Sequence, residues 1–434
     1  HDMNEEREEG ITFGEIVRLV RRRLWAVLAA AALVTACAVL LTVLVLNPRS
    51  VRYGFTFALS SPAAPAQQYA DGAPFYYRDV VSEAALAAVL AGDERFAGTD
   101  PAQMIENDDV TITSDGGADT MYLGTYTVRV TAGAFPDASA AAAFLRGVAE
   151  NAARMIRESA ENLDYSVQSS AYYAAPLEDR ISVLAQLRET LLENYNAWIA
   201  RYSGAYSVSV NGTGKTLGNY RAEASAPFSA GLQENLSKTC REGGYGQIVL
   251  ASDASDETVA KAVSLQRAAL KEEYARNRKV IEGFQGIQRA EGGSSAGSGV
   301  EQYIVRNGVI SSQIGNFTAS GEDDGSGTLT AESVKAFSDT LDAQYRALAS
   351  AAETLKQVTA VIYAENTWAS YPARSIVSEG GINPVLAGVA AFVLSFLVAA
   401  IVVCTVDYPA HRAKRGRSSQ PPALPQTDGA GGEE

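Results

Sequence analysis

The sequence predicts an α+β membrane protein, in which two transmembrane helices flank an extracytoplasmic α/β domain and a long, coiled-coil-like helical arm. Three observations predict this fold class. Two uncharged apolar runs lie near the two ends of the chain, strand-like alternation follows the first run, and long apolar stripes at helical spacing come later. A chain of 434 residues has room for several such units.

The two uncharged runs comprise residues 24–46 and 384–406. At about 1.5 Å of rise per residue, each run forms a helix of about 35 Å, which is long enough for a hydrocarbon core of about 30 Å. A signal peptide has a shorter apolar region of about 7–15 residues. We therefore interpret the first run, like the second, as a transmembrane helix in the cytoplasmic (inner) membrane.

Basic residues predict the orientation of both helices, because short loops rich in Lys and Arg stay on the cytoplasmic side. They precede the first run and follow the second, so both termini are expected to be cytoplasmic. The residues expected to anchor the two ends there are Arg21, Arg22, Arg23, Arg412, Lys414 and Arg415.

Changes of pattern along the chain predict seven segments. The cytoplasmic ends and the membrane helices enclose an outer part made of an α/β domain, an arm and a return to the membrane. The segments are a cytoplasmic N-terminal segment (1–23), transmembrane helix 1 (24–46), the α/β domain (47–160), the helical arm (161–357), the return segment (358–383), transmembrane helix 2 (384–406) and a cytoplasmic tail (407–434).

The α/β domain is predicted from a strand, helix, strand, strand, helix order. Residues 51–60 alternate as a strand does, and 77–92 have helical spacing that ends at Gly92, which suits a left-handed C-cap. Residues 109–114 and 121–131 flank a turn-rich DGGADT and predict a hairpin, after which Pro136 and Asp137 open a helix.

The helical arm is predicted from apolar residues spaced by threes and fours. One stripe runs from Leu177 to Tyr202, a second from Val334 to Leu355, and residues 253–288 have a weaker and more charged stripe. Glycine-rich loops separate these helices. On pattern alone they form either an ordinary helical domain or an arm that projects from the membrane.

The outer segment is strongly acidic, with 27 Lys and Arg against 40 Asp and Glu. Nucleic acid is therefore not expected as a partner, because phosphate binding requires clustered cations. Cys240 is the single cysteine of this segment, so no internal disulfide is expected there.

The residues give little basis for catalysis. The outer segment contains no histidine, and Gly214, Lys215 and Thr216 match only the end of a phosphate loop, because Ser209 stands where its first glycine belongs. We interpret this stretch as a glycine turn between helices. We expect a protein that is not an enzyme and has no cofactor and no metal, although a hydrolase that uses two carboxylates stays open.

The second apolar run carries small residues every four positions, which lets another helix approach closely. Pro384 suits the first turn of that helix because its missing N–H costs nothing there. Gly388 lies one turn further on. The residues predicted to pack against another helix are Pro384, Ala387, Gly388, Ala391, Ser395 and Ala399.

The layout resembles the polysaccharide co-polymerases, the Wzz-type chain-length determinant family, including the Gram-positive relatives that modulate a capsular polysaccharide kinase. ITFGEIVRLVRRRLWAVL resembles the family's opening, MYLGTYTVRVTAGAFPDASAAAAFLRGVAENAARMI its membrane-proximal domain, and YPARSIVSEGGINPVLAGVAAFVLSFL its entry to the second membrane helix. The chain departs from the family in having only Pro372 and Pro384 before that helix.

The resemblance implies a homo-oligomer that regulates the chain length and export of capsule, exopolysaccharide or the O-antigen of lipopolysaccharide. Its implied partners are the lipid bilayer, a polysaccharide polymerase or a separate cytoplasmic tyrosine kinase, and the growing polysaccharide. A different class also stays open: a two-span membrane sensor or receptor whose extracytoplasmic domain binds a ligand.

Overall fold

A computed structural model describes residues 13–116, 122–291, 299–318, 322–373 and 376–418, with the backbone alone for 13–16, 19, 287–291 and 407–418. The described chain is mainly helical, with some sheet. Its helices are α1 (Phe13–Arg22), α2 (Leu24–Leu41), α3 (Asn47–Ser50), α4 (Glu83–Leu90), α5 (Pro101–Glu106), α6 (Ala138–Glu161), α7 (Ser169–Ala174), α8 (Leu177–Tyr202), α9 (Leu217–Ser225), α10 (Ala230–Gly243), α11 (Asp256–Glu291), α12 (Glu301–Ile314), α13 (Ala331–Asn366) and α14 (Pro384–Ser418). The strands are β1 (Arg52–Ser60), β2 (Val110–Ser114), β3 (Tyr122–Thr131), β4 (Ser207–Val210), β5 (Thr213–Thr216), β6 (Ala369–Ser370) and β7 (Ile376–Glu379).

The larger sheet has five strands, with β1 at its centre. β2 and β3 form the predicted antiparallel hairpin, whose turn at 117–121 lies outside the described residues, and β3 pairs with β1 along its whole length. The other edge of β1 is shared, because β6 pairs with its far end and β7 with its near end. The pattern of the return segment did not predict β6 or β7.

Helix α6 covers one face of this sheet. Its N-cap is Asp137, whose Oδ1 accepts a hydrogen bond from the backbone N–H of Ala140 at 2.7 Å, so the predicted start of the helix is confirmed. Phe144 and Val148 on its inner face are fully buried. The expected C-cap at Gly92 is wrong, because α4 ends at Leu90 and Gly92 does not adopt a positive φ.

The long helices α8 and α13 confirm the two regular apolar stripes and pack against each other. Together with α7, α9, α10, α11 and α12 they enclose one hydrophobic core, in which Leu184, Leu191, Leu341 and Leu348 are buried. α13 continues to Asn366, beyond the expected end of the arm at residue 357, because its apolar stripe continues. At its end, Tyr363 joins the core of the sheet domain.

The glycine turn predicted between helices lies between α8 and α9, and two short strands that were not predicted, β4 and β5, flank it as a hairpin. Asn211 and Gly212 have φ values of 51° and 78°, as two-residue hairpin turns require. The Lys215 ammonium lies 2.8 Å from Glu223 Oε1. The match to a phosphate loop is therefore a hairpin strand with its lysine in an ion pair.

A buried arginine fastens the start of α8 to α13. Arg180 has no exposed surface and donates to the carbonyls of Ala175 and Tyr173, at 3.1 and 3.0 Å, and to that of Leu250. Its Nη1 lies 3.7 Å from Asp342 Oδ1, and burial raises the pKa of that carboxyl above its usual range. Buried charges require such partners, so this cluster constrains how the two helices pack.

Candidate functional site

Two helices of the described chain are long and apolar enough to cross a membrane. They are residues Leu24–Ser50 and Pro384–Val406, with mean hydropathies of 2.7 and 2.8. Most of their large side chains point away from the protein; Leu33 is 68% exposed and Val385 is 70% exposed. Exposed apolar surface of this extent is unfavourable in water and favourable in lipid.

The two apolar helices pack against each other in opposite directions. Gly388 is buried at this contact, where a Cβ added to it would lie 3.0 Å from Val39 Cγ2 and 3.7 Å from Thr35 Cγ2. The Thr35 hydroxyl donates to the carbonyl of Ala31 at 2.7 Å, so its polar group is satisfied within its own helix. Close approach at a glycine strengthens van der Waals packing, which is the main attraction between helices in lipid.

The residues predicted for helix packing lie on one face of α14, against α2 of the same chain. Beyond Gly388, the other members of the stripe are half-buried, whereas most of their neighbours are exposed. The Ser395 hydroxyl donates to the carbonyl of Phe392 at 3.1 Å. The partner helix is therefore internal, and the residues that share this face are Pro384, Ala387, Gly388, Ala391, Ser395 and Ala399.

The basic residues expected to anchor the ends lie at one end of the helix pair. Arg21 and Arg22 form the exposed last turn of α1, and Arg23 is the exposed residue between α1 and α2. α1 also contacts α14, whose helix continues past residue 406. The backbone of that continuation is described but its side chains are not; it carries Arg412, Lys414 and Arg415.

At the other end of the pair, Asn47 joins the two apolar helices. Its Nδ2 donates to the carbonyl of Ile382 at 3.2 Å, and its Oδ1 accepts from the N–H of Ile382 at 2.9 Å. Gly380 and Gly381, with φ values of 76° and 89°, let the chain pass close by, since a Cβ at Gly380 would lie 2.8 Å from the carbonyl oxygen of Ser50. The start of α14 is thus fixed to the end of the first helix.

The sheet holds this junction in place. α3 leads from the first apolar helix into β1, and β7 leads into α14 through residues 380–383. β1 and β7 are hydrogen-bonded neighbours, with Arg52 opposite Glu379 and Phe55 opposite Ile376. Arg129 on β3 adds an ion pair, with its Nε 2.8 Å from Glu379 Oε2. Both apolar helices are therefore connected to neighbouring strands of one sheet.

The contacts of this site hold the apolar helices and the sheet in position. In the ranges described, no group of three or more His, Cys, Asp or Glu residues is placed to hold a metal ion. Asn47 and Glu379 were not predicted to belong to this site, although a feature of the sequence marks the position of each. Asn47 and Pro48 end the first apolar run, and two glycines follow Glu379.

The tight helix contact at Gly388 predicts a large effect of a bulky residue. Gly388→Leu should separate the two helices and lower the free energy of unfolding by about 1–3 kcal/mol, because its Cβ would already lie 3.0 Å from Val39 Cγ2. The measurement is unfolding of the purified protein in micelles by titration with a denaturing detergent. Ala390→Leu, on the exposed side of the same helix, is the matched control and should change little. An equal loss in both variants, or none in Gly388→Leu, contradicts the packing.

No protein-family model, curated protein or solved structure matches the chain. A functional assignment therefore depends on the apolar helices, the sheet that joins them and the helical body.

Proposed function

We propose that this protein is a non-catalytic, membrane-anchored regulator of surface-polysaccharide chain length and export, of the polysaccharide co-polymerase type. One observation carries the proposal: two membrane-type helices are joined through adjacent strands of one sheet to a large helical body. Such an arrangement suits a scaffold that holds a body at a fixed place above the bilayer.

In this proposal both apolar helices span the cytoplasmic membrane and both termini are cytoplasmic. The arginines at one end of the helix pair support that orientation. The protein acts as a homo-oligomer on capsule, exopolysaccharide or O-antigen, together with a polymerase or a separate cytoplasmic tyrosine kinase.

Helix α14 is continuous, which supports transmission of a conformational change to the cytoplasmic side as part of this role. The helix begins beside the sheet at Pro384 and runs without interruption to Ser418, beyond its apolar part. A change in the packing of the outer domains would therefore reach the basic cytoplasmic segment through one rigid element. A kinase docked on that segment would sense it.

Topology can be tested with engineered cysteines. Cys240 is unsuitable for thiol labelling in the folded protein because it is buried, which raises the pKa of its thiol to about 12. In a variant with Cys37 and Cys404 replaced by alanine, Ser252→Cys, which is exposed on the helical body, should react with a membrane-impermeant maleimide on intact cells. Val17→Cys on α1, exposed at the opposite end, is the control and should react only after permeabilisation. The reverse pattern contradicts the orientation.

The regulatory role can be tested by deleting the gene and separating the surface polysaccharide on a gel. Deletion should change the length distribution while polymer is still made, and the wild-type chain should restore it. Gly381→Val should behave like the deletion, because its φ is 89° and a Cβ would lie 2.7 Å from Val51 Cγ2. Gly283→Val is the matched control, since nothing lies within 4 Å of a Cβ there. An unchanged ladder in the deletion strain contradicts the proposal.

A further inference from the structure

A pocket of about 360 Å³ lies between the sheet domain and the helical body, within the size range of small-ligand sites. It lies at the far end of β1, about 30 Å along the strand from the apolar helices. Three segments form it: the end of β1 and the turn after it, the last turn of α8, and the stretch from the end of α13 to β6. The lining residues are Ser60, Ser61, Pro65, Arg201, Tyr202, Asn366 and Trp368.

Hydrogen bonds fix the polar part of the lining. The Asn366 carboxamide donates to the carbonyl of Ile362 at 2.8 Å and to the hydroxyl of Tyr206 at 3.2 Å. The Ser60 hydroxyl donates to the carbonyl of Asn366 at 3.2 Å, and the Ser60 N–H donates to the carbonyl of Trp368 at 2.9 Å. The pocket is thus formed before any ligand arrives, which lowers the entropy cost of binding.

The aromatic part of the lining combines apolar ring faces with one cation. The Trp368 side chain is 40% exposed although it stands between two folded domains. The Arg201 guanidinium carbon lies 5.7 Å from the Tyr202 ring centroid, and its Nη2 donates to the carbonyl of Ser61 at 3.4 Å. Of the seven lining residues, Arg201 alone is charged.

We propose that this pocket binds a sugar unit that carries a carboxylate, within a surface polysaccharide. Pyranose rings present a face of C–H groups, which packs on Trp and Tyr rings, and a rim of hydroxyls, which donate to an acceptor such as the Asn366 carboxamide oxygen. The guanidinium selects a carboxylate by a charge-assisted hydrogen bond. Arg157 adds a second cation at this stretch, because its Nη1 donates to the carbonyl of Thr367 at 3.2 Å, whereas Glu365 precedes Asn366 and accepts from the Tyr206 hydroxyl at 2.9 Å.

The inference rests on the proposed function for the source of the glycan, and it adds how the outer body would contact the polymer. A sugar held between the two domains would contact β1, α8 and α13 together. Because β1 also leads to the apolar helices, binding of a sugar in the pocket would affect the packing of those helices.

The test is calorimetric titration of the purified full-length protein in lipid nanodiscs. The probes are a hexasaccharide that alternates glucuronic acid with glucose and a neutral glucose hexasaccharide. The wild type should bind the acidic probe at least tenfold more tightly than the neutral one. Trp368→Ala should weaken binding of the acidic probe at least tenfold, and Arg201→Gln should reduce it to the level of the neutral probe.

Two further variants keep the test independent of folding. Pro65→Trp adds bulk at the exposed rim without removing a contact and should also abolish binding. Tyr76→Ala removes an exposed aromatic side chain elsewhere and should leave binding unchanged. Absence of binding to the wild type, equal affinity for both probes, or retained affinity in Trp368→Ala and Pro65→Trp would overturn the inference.

The two proposals fail separately. If deletion of the gene changes the polysaccharide ladder while the acidic hexasaccharide does not bind, the glycan pocket is rejected and the regulatory function stands. If the hexasaccharide binds in a manner that depends on Trp368 while the ladder is unchanged by deletion, the pocket stands and the regulatory function is rejected.

Discussion

The antiparallel pairing of β1 with β7 is the interaction on which the rest of the structure depends. It joins residues 52–55 to residues 376–379 and so closes a loop of more than 300 residues, which contains both outer domains. Loop closure of this kind costs conformational entropy that rises slowly with length, so a long insertion between two strands is tolerated. The strands bring the end of the first apolar helix and the start of the second together.

β1 also connects the two apolar helices to the helical body. Its near end pairs with β7, its far end pairs with β6, and β6 follows α13 directly along the chain. Tyr363 at the end of α13 belongs to the core of the sheet domain, while the earlier part of that helix belongs to the core of the bundle. The sheet domain, the helical body and the apolar helices are thus linked through one strand.

Much of this fold could be predicted from periodicity, because long apolar stripes allow few alternatives. The apolar runs, α8, α13 and the hairpin of β2 with β3 all follow from local pattern. β7 could not be predicted, because it has only four residues and their polarity does not alternate. It is recognised as a strand only by its pairing with β1. Nor could the burial of Arg180 be predicted, because in sequence it is one charged residue among many and acquires its partners only in three dimensions.

Some features of the candidate site could likewise be predicted from the sequence, and others could not. The small-residue face from Pro384 to Ala399 was visible as a four-residue repeat, but the identity of its partner helix was not. Asn47 and Ile382 are 335 residues apart, and no local rule pairs them. The Asn-Gly turn of the β4 and β5 hairpin did carry a signal, which was outweighed by the long helices around it.

The most direct test of the central pairing is a disulfide between its strands, in a chain whose own cysteines are alanine. Tyr53 lies opposite Ser378, and Cα atoms of such antiparallel pairs are about 4.5–5.5 Å apart, within the range a disulfide spans. Tyr53→Cys with Ser378→Cys should oxidise to an intramolecular bond, seen as faster migration on a non-reducing gel. Tyr53→Cys with Val377→Cys should not, because residue 377 faces the other side of the sheet. Cross-linking of the second pair, or of neither, would contradict the pairing of β1 with β7.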